Sequence, residues 1–328
     1  MVGLVPSGVL SRLAAPGAGL LRILVSGGAG FIASHVSDRF LELGHQVSIV
    51  DNLATGRREN LPPSAKFYEV DVRDAALDAV FAEVKPEVVC HHAAQMDVRR
   101  SVADPVYDAQ VNVLGSLNML ECCRRHGTRK VIYAGTGGAM FGEADYLPVD
   151  ETHPVMPISP YGVSKHTVEH YLYTYSVNAG LDFTVLRYPN VYGPRQDPHG
   201  EAGVVAIFSL QLLSGTRPTI FGDGTKTRDY CFVADIVAAN ELALEAGGGG
   251  LFNLGRGVQV SDREVFEAVR SAVNVDIEPE FAPVRPGEVE HIALDASLAR
   301  RELGWEWKVD LADGVSRAVA FYREQRER

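Results

Sequence analysis

Positive charge is in short supply. The 328 residues hold 31 Lys and Arg against 42 Asp and Glu, for a net charge of −11. Such a chain has no basic footprint for nucleic acid or an anionic membrane surface. Local arginines and helix N-termini can still receive an anionic nucleotide. Cysteine is scarce too. Cys90, Cys122, Cys123 and Cys231 show no metal-ligand spacing and read as reduced thiols of a cytoplasmic protein. No apolar run is long and uncharged enough to span a bilayer. Residues 1–20 are apolar with Arg12 as their only charge, but they lack the basic start of a signal peptide. Residues 1–21 therefore read as an N-terminal extension. No internal repeat is found.

What is present is an alternation. Short β-rich runs at Arg22–Ser26, Gln46–Asp51, Lys66–Val70, Val88–His91, Lys130–Ala134 and Phe183–Arg187 are separated by helical patterns near 30–43, 74–84, 105–126 and 160–179. This order predicts an α/β protein with a doubly wound parallel sheet covered on both faces. After Arg187 the rhythm breaks and Pro and Gly become frequent. A helix near 234–246 and a strand at Leu251–Leu254 look like returns to the first sheet. The expected organisation is thus a Rossmann-type nucleotide domain over 22–187, with a return segment at about 233–256. A smaller, discontinuous substrate domain is expected within 188–328. The run Gly247–Gly250 reads as a turn, because no suitable helix follows it.

The first strand leads into Gly27-Gly28-Ala29-Gly30-Phe31-Ile32-Ala33, a G-x-x-G-x-x-A turn that opens a helix. Glycines here permit a tight turn and close approach of a pyrophosphate, whose charge meets the helix N-terminus. Asp51 ends the second strand, 21 residues after Gly30. A carboxylate there accepts hydrogen bonds from ribose hydroxyls and repels a 2′-phosphate, which favours NAD over NADP. Arg57 and Arg58 argue the other way. Asn52 follows Asp51, and Asp71 with Val72 is placed to frame the adenine. His91-His92-Ala93-Ala94-Gln95 closes the fourth strand at the carboxyl edge, where ligands bind. The paired histidines do not read as a metal site, because neighbours on a strand point to opposite faces; no metal is expected.

Tyr161 and Lys165 lie four residues apart, one turn along a predicted helix. A cation beside a phenol lowers the phenol's pKa, so the tyrosine is expected to act as a base near neutral pH. Beside a bound nicotinamide, that base takes a hydroxyl proton as hydride leaves the same carbon.

With these residues, the chain resembles the extended short-chain dehydrogenase/reductase family, in its UDP-glucose 4-epimerase-like branch. The likeness covers about residues 22 to 325. It also rests on Asp51–Gly56, Thr136-Gly137-Gly138-Ala139, Arg187–Gln196, Phe221–Gly224, Arg228-Asp229-Tyr230 and Arg285-Pro286-Gly287-Glu288. The resemblance implies tightly held NAD, a 4-keto sugar intermediate that rotates in its pocket, and hydride return to the other face. It implies cofactor contacts from Gly27, Gly30, Phe31, Ile32, Asp51, Asn52, Asp71, Val72, Ala93, Ala94, Gln95, Asn112, Lys165 and Tyr188. It implies substrate contacts from Asn190, Arg228, Arg285, Phe221 and Gln95. Lys165 would hold the nicotinamide ribose.

The family's usual hydroxyl slot, counted back from Gly142, holds Gly137 here, so Thr136 is assigned the catalytic hydroxyl. Dehydratase relatives need an Asp-Glu pair just after their threonine. Those places hold Gly137/Gly138 and Ala139, which leaves elimination without proton carriers. Asp197, after Pro194-Arg195-Gln196, is expected to repel a uronate. Ile292 aligns with the gate to the sugar pocket and leaves an N-acetylhexosamine open. The reading is a UDP-hexose 4-epimerase, with a reductase or dehydratase and a non-catalytic NAD-binding protein as alternatives. Helices 105–126 and 160–179 carry surplus apolar and tyrosine residues, and the resemblance pairs them with their copies in a homodimer.

Overall fold

The computed structural model describes residues 19–199, 203–284 and 289–327. Strands β1 (Arg22–Ser26), β2 (Gln46–Asp51), β3 (Lys66–Glu69), β4 (Val88–His91), β5 (Lys130–Thr136) and β6 (Asp182–Tyr188) alternate with helices. These are α1 (Phe31–Glu42), α2 (Leu77–Val84), α3 (Val98–Ala103), α4 (Pro105–Ala109), α5 (Gly115–His126) and α6 (Pro160–Ala179). The strands join one parallel seven-stranded sheet in the order β11-β6-β5-β4-β1-β2-β3. Its last member, β11 (Gly250–Asn253), pairs in parallel with β6 and is the anticipated return strand. The β1, β4 and β5 side chains are almost all buried, as expected of a sheet packed on both faces. Chain order reverses between β1 and β4, so a crevice opens there at the strands' carboxyl ends.

Local chemistry sets the helix ends. Ser159 caps α6 by accepting the Gly162 N–H at 3.2 Å, Pro160 sits in the first turn, and Gly180 closes it in the left-handed region. The pattern over 105–126 is expected as one helix, but it is interrupted. A π-turn at Gln110–Leu114 lies between α4 and α5. The π-turn rotates Asn112 inward, where its side chain brackets the Gln95 backbone: Oδ1 accepts from the Gln95 N–H at 2.8 Å and Nδ2 donates to the Gln95 carbonyl at 2.9 Å. A periodicity argument cannot register such a one-residue insertion.

The remaining elements build the second unit. They are β7 (Asn190–Tyr192), α7 (Val204–Leu213), β8 (Thr219–Phe221), β9 (Thr227–Arg228), β10 (Tyr230–Phe232), α8 (Val233–Leu242), β12 (Val260–Ser261), α9 (Asp262–Val273), β13 (Glu280–Ala282), α10 (Ser297–Leu303) and α11 (Leu311–Glu327). Helix α8 packs on α1 of the nucleotide domain, while α7, α9 and α11 pack together. The main core runs through both units, from Ile23 and Phe40 to Phe266 and Trp305. Leu21, assigned by sequence to the extension, is buried in that core. The remainder of the extension, residues 1–18, lies outside the described residues. No described helix is long and apolar enough to cross a membrane.

Candidate active site

The glycine turn forms the first wall of the crevice. Gly27 has φ +72°, and a side chain there would begin 2.7 Å from the Ala93 nitrogen. Only glycine lets the β1 turn lie against the end of β4. Gly30 caps α1 without a side-chain hydrogen bond, and the first turn of α1 carries no acidic residue. The positive end of a twelve-residue helix, with Phe31 and Ile32 at its start, is thereby left to an anionic group. Asp51 is buried, and its two carboxylate oxygens accept from the Ala29 N–H at 3.0 Å and the Leu53 N–H at 2.8 Å. Burial raises its pKa, while those two N–H groups pull it back. Arg57 pairs with Asp197 and Glu59, and Arg58 with Glu69. Both arginines are therefore matched by carboxylates and do not form a pocket for a 2′-phosphate. Asp71 is clamped by Arg73 and by the Asn52 amide, which hold its carboxyl well below the usual range. Val72 packs under Gly115 in the second core cluster. These residues fit a dinucleotide at the crevice: a bare helix N-terminus for its pyrophosphate and an acidic strand end for its ribose.

Deeper in, β5 runs two residues further than its apolar pattern suggests. Thr136 pairs with Tyr188 at its end. Thr136 is buried, and its side chain pulls the Tyr161 phenol's pKa down against the effect of burial. A side chain at Gly137 would begin 2.3 Å from a Leu294 methyl, so the usual hydroxyl slot is filled by Leu294 here. Thr136→Val keeps the shape and removes the hydroxyl. It is expected to slow turnover by ~10²-fold, as loss of a positioned proton-transfer partner does. Steady-state kinetics with unchanged NAD content checks this, and wild-type rates would mean that water or a backbone group serves instead.

Lys165 departs from expectation. Its ammonium sits 4.4 Å over the Tyr133 ring, and burial lowers its pKa to about 8, with Glu169 and Asp108 pulling upward. Tyr161 is pushed up to about 12 by burial, only partly offset by the Thr136 hydroxyl. The predicted lowering of the phenol by Lys165 is thus not seen. Burial raises the phenol, and the ammonium is engaged with the Tyr133 ring.

Gln95 is engaged in its own loop. Its side chain donates to the Asp97 carbonyl at 2.8 Å and to Asp108 at 2.9 Å, and it accepts the Asp97 N–H. Those bonds shape the loop that follows β4. The Asn112 side chain is likewise spent on Gln95, Asp108 and Ser164. The Tyr188 hydroxyl lies between Asn240, 2.8 Å away, and His92, 3.0 Å away. His91 bonds Ser26 and Ser116, and burial with the Lys165 charge lowers both histidines to about 3. Among the described residues no group of His, Cys, Asp and Glu is arranged as a metal cage.

The substrate-side residues are less gathered. Asn190 begins β7, and its side-chain oxygen lies 3.4 Å from where a side chain on Gly138 would start, which places it against the Thr136 turn. Arg228 donates to the Thr227 carbonyl at 2.8 Å and the Glu290 carbonyl at 3.2 Å. Phe221 ends β8 beside β13. Arg285 lies outside the described residues. Ile292 is buried with Met140, Phe141, Val149, Val289 and Leu294. Asp197 is held by Arg57 at 3.0 Å, on the Asp51 side of the crevice, so its charge does not argue against a uronate at the sugar. Sequence reasoning missed the buried Glu169–Arg187 pair beneath Lys165, two hydrogen bonds of 2.9 and 2.7 Å. Only the spacing of Glu169 from Lys165, one turn on, hinted at it.

The model of the NAD dependent epimerase/dehydratase family matches residues 23–255. The chain belongs to that family. Its similarity to UDP-glucose 4-epimerase of Mycolicibacterium smegmatis is 47% identity over 311 residues, covering 93% of this chain and 99% of the relative. Among solved structures, the UDP-glucose 4-epimerase of Thermotoga maritima with UDP-glucose superposes with a TM-score of 0.91. It is 46% identical and covers 92% of this chain and 99% of that one. The Thermus thermophilus UDP-glucose 4-epimerase in complex with NAD gives a TM-score of 0.89 at 45% identity, over 92% of this chain and 98% of that one. In this NAD dependent epimerase/dehydratase family member, the glycine turn, Asp51 and Thr136 lie at the carboxyl ends of β1, β2 and β5, and Tyr161 and Lys165 lie on α6. All lie within the matched span.

Proposed function

We propose that this protein is an NAD-dependent 4-epimerase of a UDP-hexose, interconverting the gluco and galacto forms. The observation that carries the reading is the Tyr161 and Lys165 pair on α6 with the buried Thr136 side chain acting on the Tyr161 phenol, and with glycine and alanine in the dehydratase acid–base positions. Gly27, Gly30, Phe31, Ile32 and Asp51 would hold NAD, whose nicotinamide supplies a hydride acceptor and donor. Tyr161 takes the proton of the sugar 4-hydroxyl and later returns it. The Thr136 hydroxyl would orient that phenol. Lys165, above the Tyr133 ring, supplies a cation beside the reacting groups. Asn190, Arg228 and Arg285 would receive the diphosphate, since charged forks and amides suit phosphate oxygens. With no carboxylic acid at Gly137, Gly138 or Ala139, the 4-keto sugar regains hydrogen and does not lose water.

The test sets UDP-glucose, UDP-N-acetylglucosamine and UDP-glucuronate separately against protein loaded with NAD and no free cofactor, with products read by NMR. UDP-galactose is expected from UDP-glucose, with no net oxidation. Preferential turnover of the glucuronate, or accumulation of a 4-keto-6-deoxy sugar, would overturn the reading.

The assembly proposed with it is a homodimer. Val102, Val106 and Leu114 are exposed along 98–114, and Val163, Tyr173 and Val177 along α6. Met119 and Leu120, expected to share in this surplus, are buried in the chain's own core, as sheet packing requires. The exposed remainder on neighbouring helices suits a closed twofold pairing. Light scattering at micromolar concentration is expected to return twice the chain mass; a monomer mass would refute it. Four buried, unpaired cysteines support a cytoplasmic setting.

A further inference from the structure

We propose that Leu294 is a positioning residue for the proposed 4-epimerase reaction, and that it holds the Thr136–Gly138 turn so that Thr136 serves Tyr161. The inference rests on that reading of the site. Leu294 stands over Gly137. A β-carbon at Gly137 would lie 2.3 Å from Leu294 Cδ1, 3.0 Å from Cδ2 and 3.2 Å from Cγ. The whole end of the side chain therefore fills the space beside the turn. Leu294 has no room to withdraw. It is fully buried in a cluster with Met140, Phe141, Val149 and Ile292. A second glycine backbone also lies against it: a β-carbon at Gly255 would begin 2.7 Å from Leu294 Cβ. A branched side chain pressed between two glycine backbones is fixed by close packing.

Its backbone is anchored as well. The Leu294 N–H donates to Asp229 Oδ2 at 3.1 Å. On either side, the Val149 N–H donates to the Ala293 carbonyl and the Asp295 N–H to the Val149 carbonyl, each at 2.8 Å. Asp229 is buried, and its carboxylate also accepts from the Arg256 and Gly257 N–H groups, both at 3.0 Å. The Asp229 carbonyl accepts the Asn190 N–H at 2.9 Å. One buried residue thus fixes two neighbours of the turn, Leu294 over Gly137 and Asn190 against Gly138. The Gly137 N–H donates to the Tyr188 carbonyl at 2.8 Å, which ties the turn to β6. Two glycines in succession give the turn no side chain of their own to lock it. Its conformation is therefore set from outside, and the side chain it presents is Thr136. That side chain pulls the Tyr161 phenol's pKa down, so a shift of the turn alters the proton acceptor.

The test is a double-mutant cycle on NAD-loaded protein with UDP-glucose. Leu294→Ala should lower kcat by ~10-fold or more, with KM and NAD content little changed, because a misplaced reacting group costs rate and not binding. Its loss should not add to that of Thr136→Val: the double variant should be no slower than Thr136→Val alone, since both act through one hydroxyl. Gly137→Ala drives a methyl into Leu294 and should lose kcat likewise; adding Leu294→Ala should recover it. Leu294→Met keeps the contact and should stay near wild type. If Leu294→Ala does not retain NAD, Leu294→Val takes its place in both cycles. A second readout does not depend on turnover. Ultraviolet titration against matched Tyr161→Phe variants should place phenolate formation at higher pH in Leu294→Ala, as in Thr136→Val, even if UDP-glucose proves not to be the substrate. Additive losses, no recovery in the Gly137→Ala, Leu294→Ala pair, or an unshifted phenolate midpoint would each overturn the role of Leu294. Absence of UDP-glucose turnover in wild type, with the midpoint shifted as expected, would overturn only the epimerase reading.

Discussion

Tyr161→Phe is expected to cut turnover by at least ~10²-fold while NAD remains bound. Phenylalanine fills the same space at the start of α6 and removes only the hydroxyl that meets Thr136. Cofactor content, measured on denatured protein, should match wild type, because the glycine turn and Asp51 are untouched. A near-normal rate would show that another group takes the proton. The same residue carries a pH expectation. Burial pushes the phenol up to about 12 in the structure, so Tyr161 is almost wholly protonated at neutral pH. The positive charge of oxidised nicotinamide favours phenolate and lowers that pKa. Ultraviolet titration of wild type minus Tyr161→Phe should therefore place phenolate formation at lower pH in NAD-loaded protein than in stripped protein. Equal midpoints would assign the lowering to something other than the cofactor.

Arg187→Met should destabilise the fold by about 3–5 kcal/mol, the usual cost of stranding one member of a buried ion pair. Arg187 and Glu169 are both nearly inaccessible and share a two-pronged contact from β6 to α6. Removing the guanidinium leaves Glu169 with His166 as its hydrogen-bonding partner and only the more distant Lys165 charge besides. The double variant Glu169→Leu with Arg187→Met should recover much of the loss, because neither charge is then buried alone. Denaturant unfolding measures both, and a single-variant cost below about 1 kcal/mol would sink the idea. The pH dependence has a definite sign. Burial raises the pKa of Glu169, but His166 and Arg187 more than reverse this, and its folded value lies below the ordinary one. Its stabilising contribution is complete above the unfolded pKa and disappears as pH falls through the folded one.

Much of the framework was legible from residue order. Apolar runs of strand length separated by helical periods specify a parallel sheet, because a parallel connection needs a crossover. Strands β2 and β4 begin and end where their apolar patterns do. The glycine turn, Asp51 and the Tyr161–Lys165 spacing are likewise local: each is a fact about residues near in sequence, governed by backbone geometry. So is the choice of Thr136 over Gly137, which follows from a single hydroxyl in a short motif.

Tertiary structure decided whatever depended on distant partners. Asp197 sits 140 residues from Arg57, and their contact removed the charge argument about uronates. The Gln95 side chain bonds Asp108 and its backbone bonds Asn112, partners 13 and 17 residues away. The helix over 105–126 yielded to a π-turn because Asn112 had to reach the Gln95 backbone. Lys165 was expected to tune Tyr161, and burial reversed the direction of the shift. In each case the deciding quantity was desolvation or a long-range hydrogen bond. Both depend on which side chains the folded sheet brings together, and sequence spacing does not encode that.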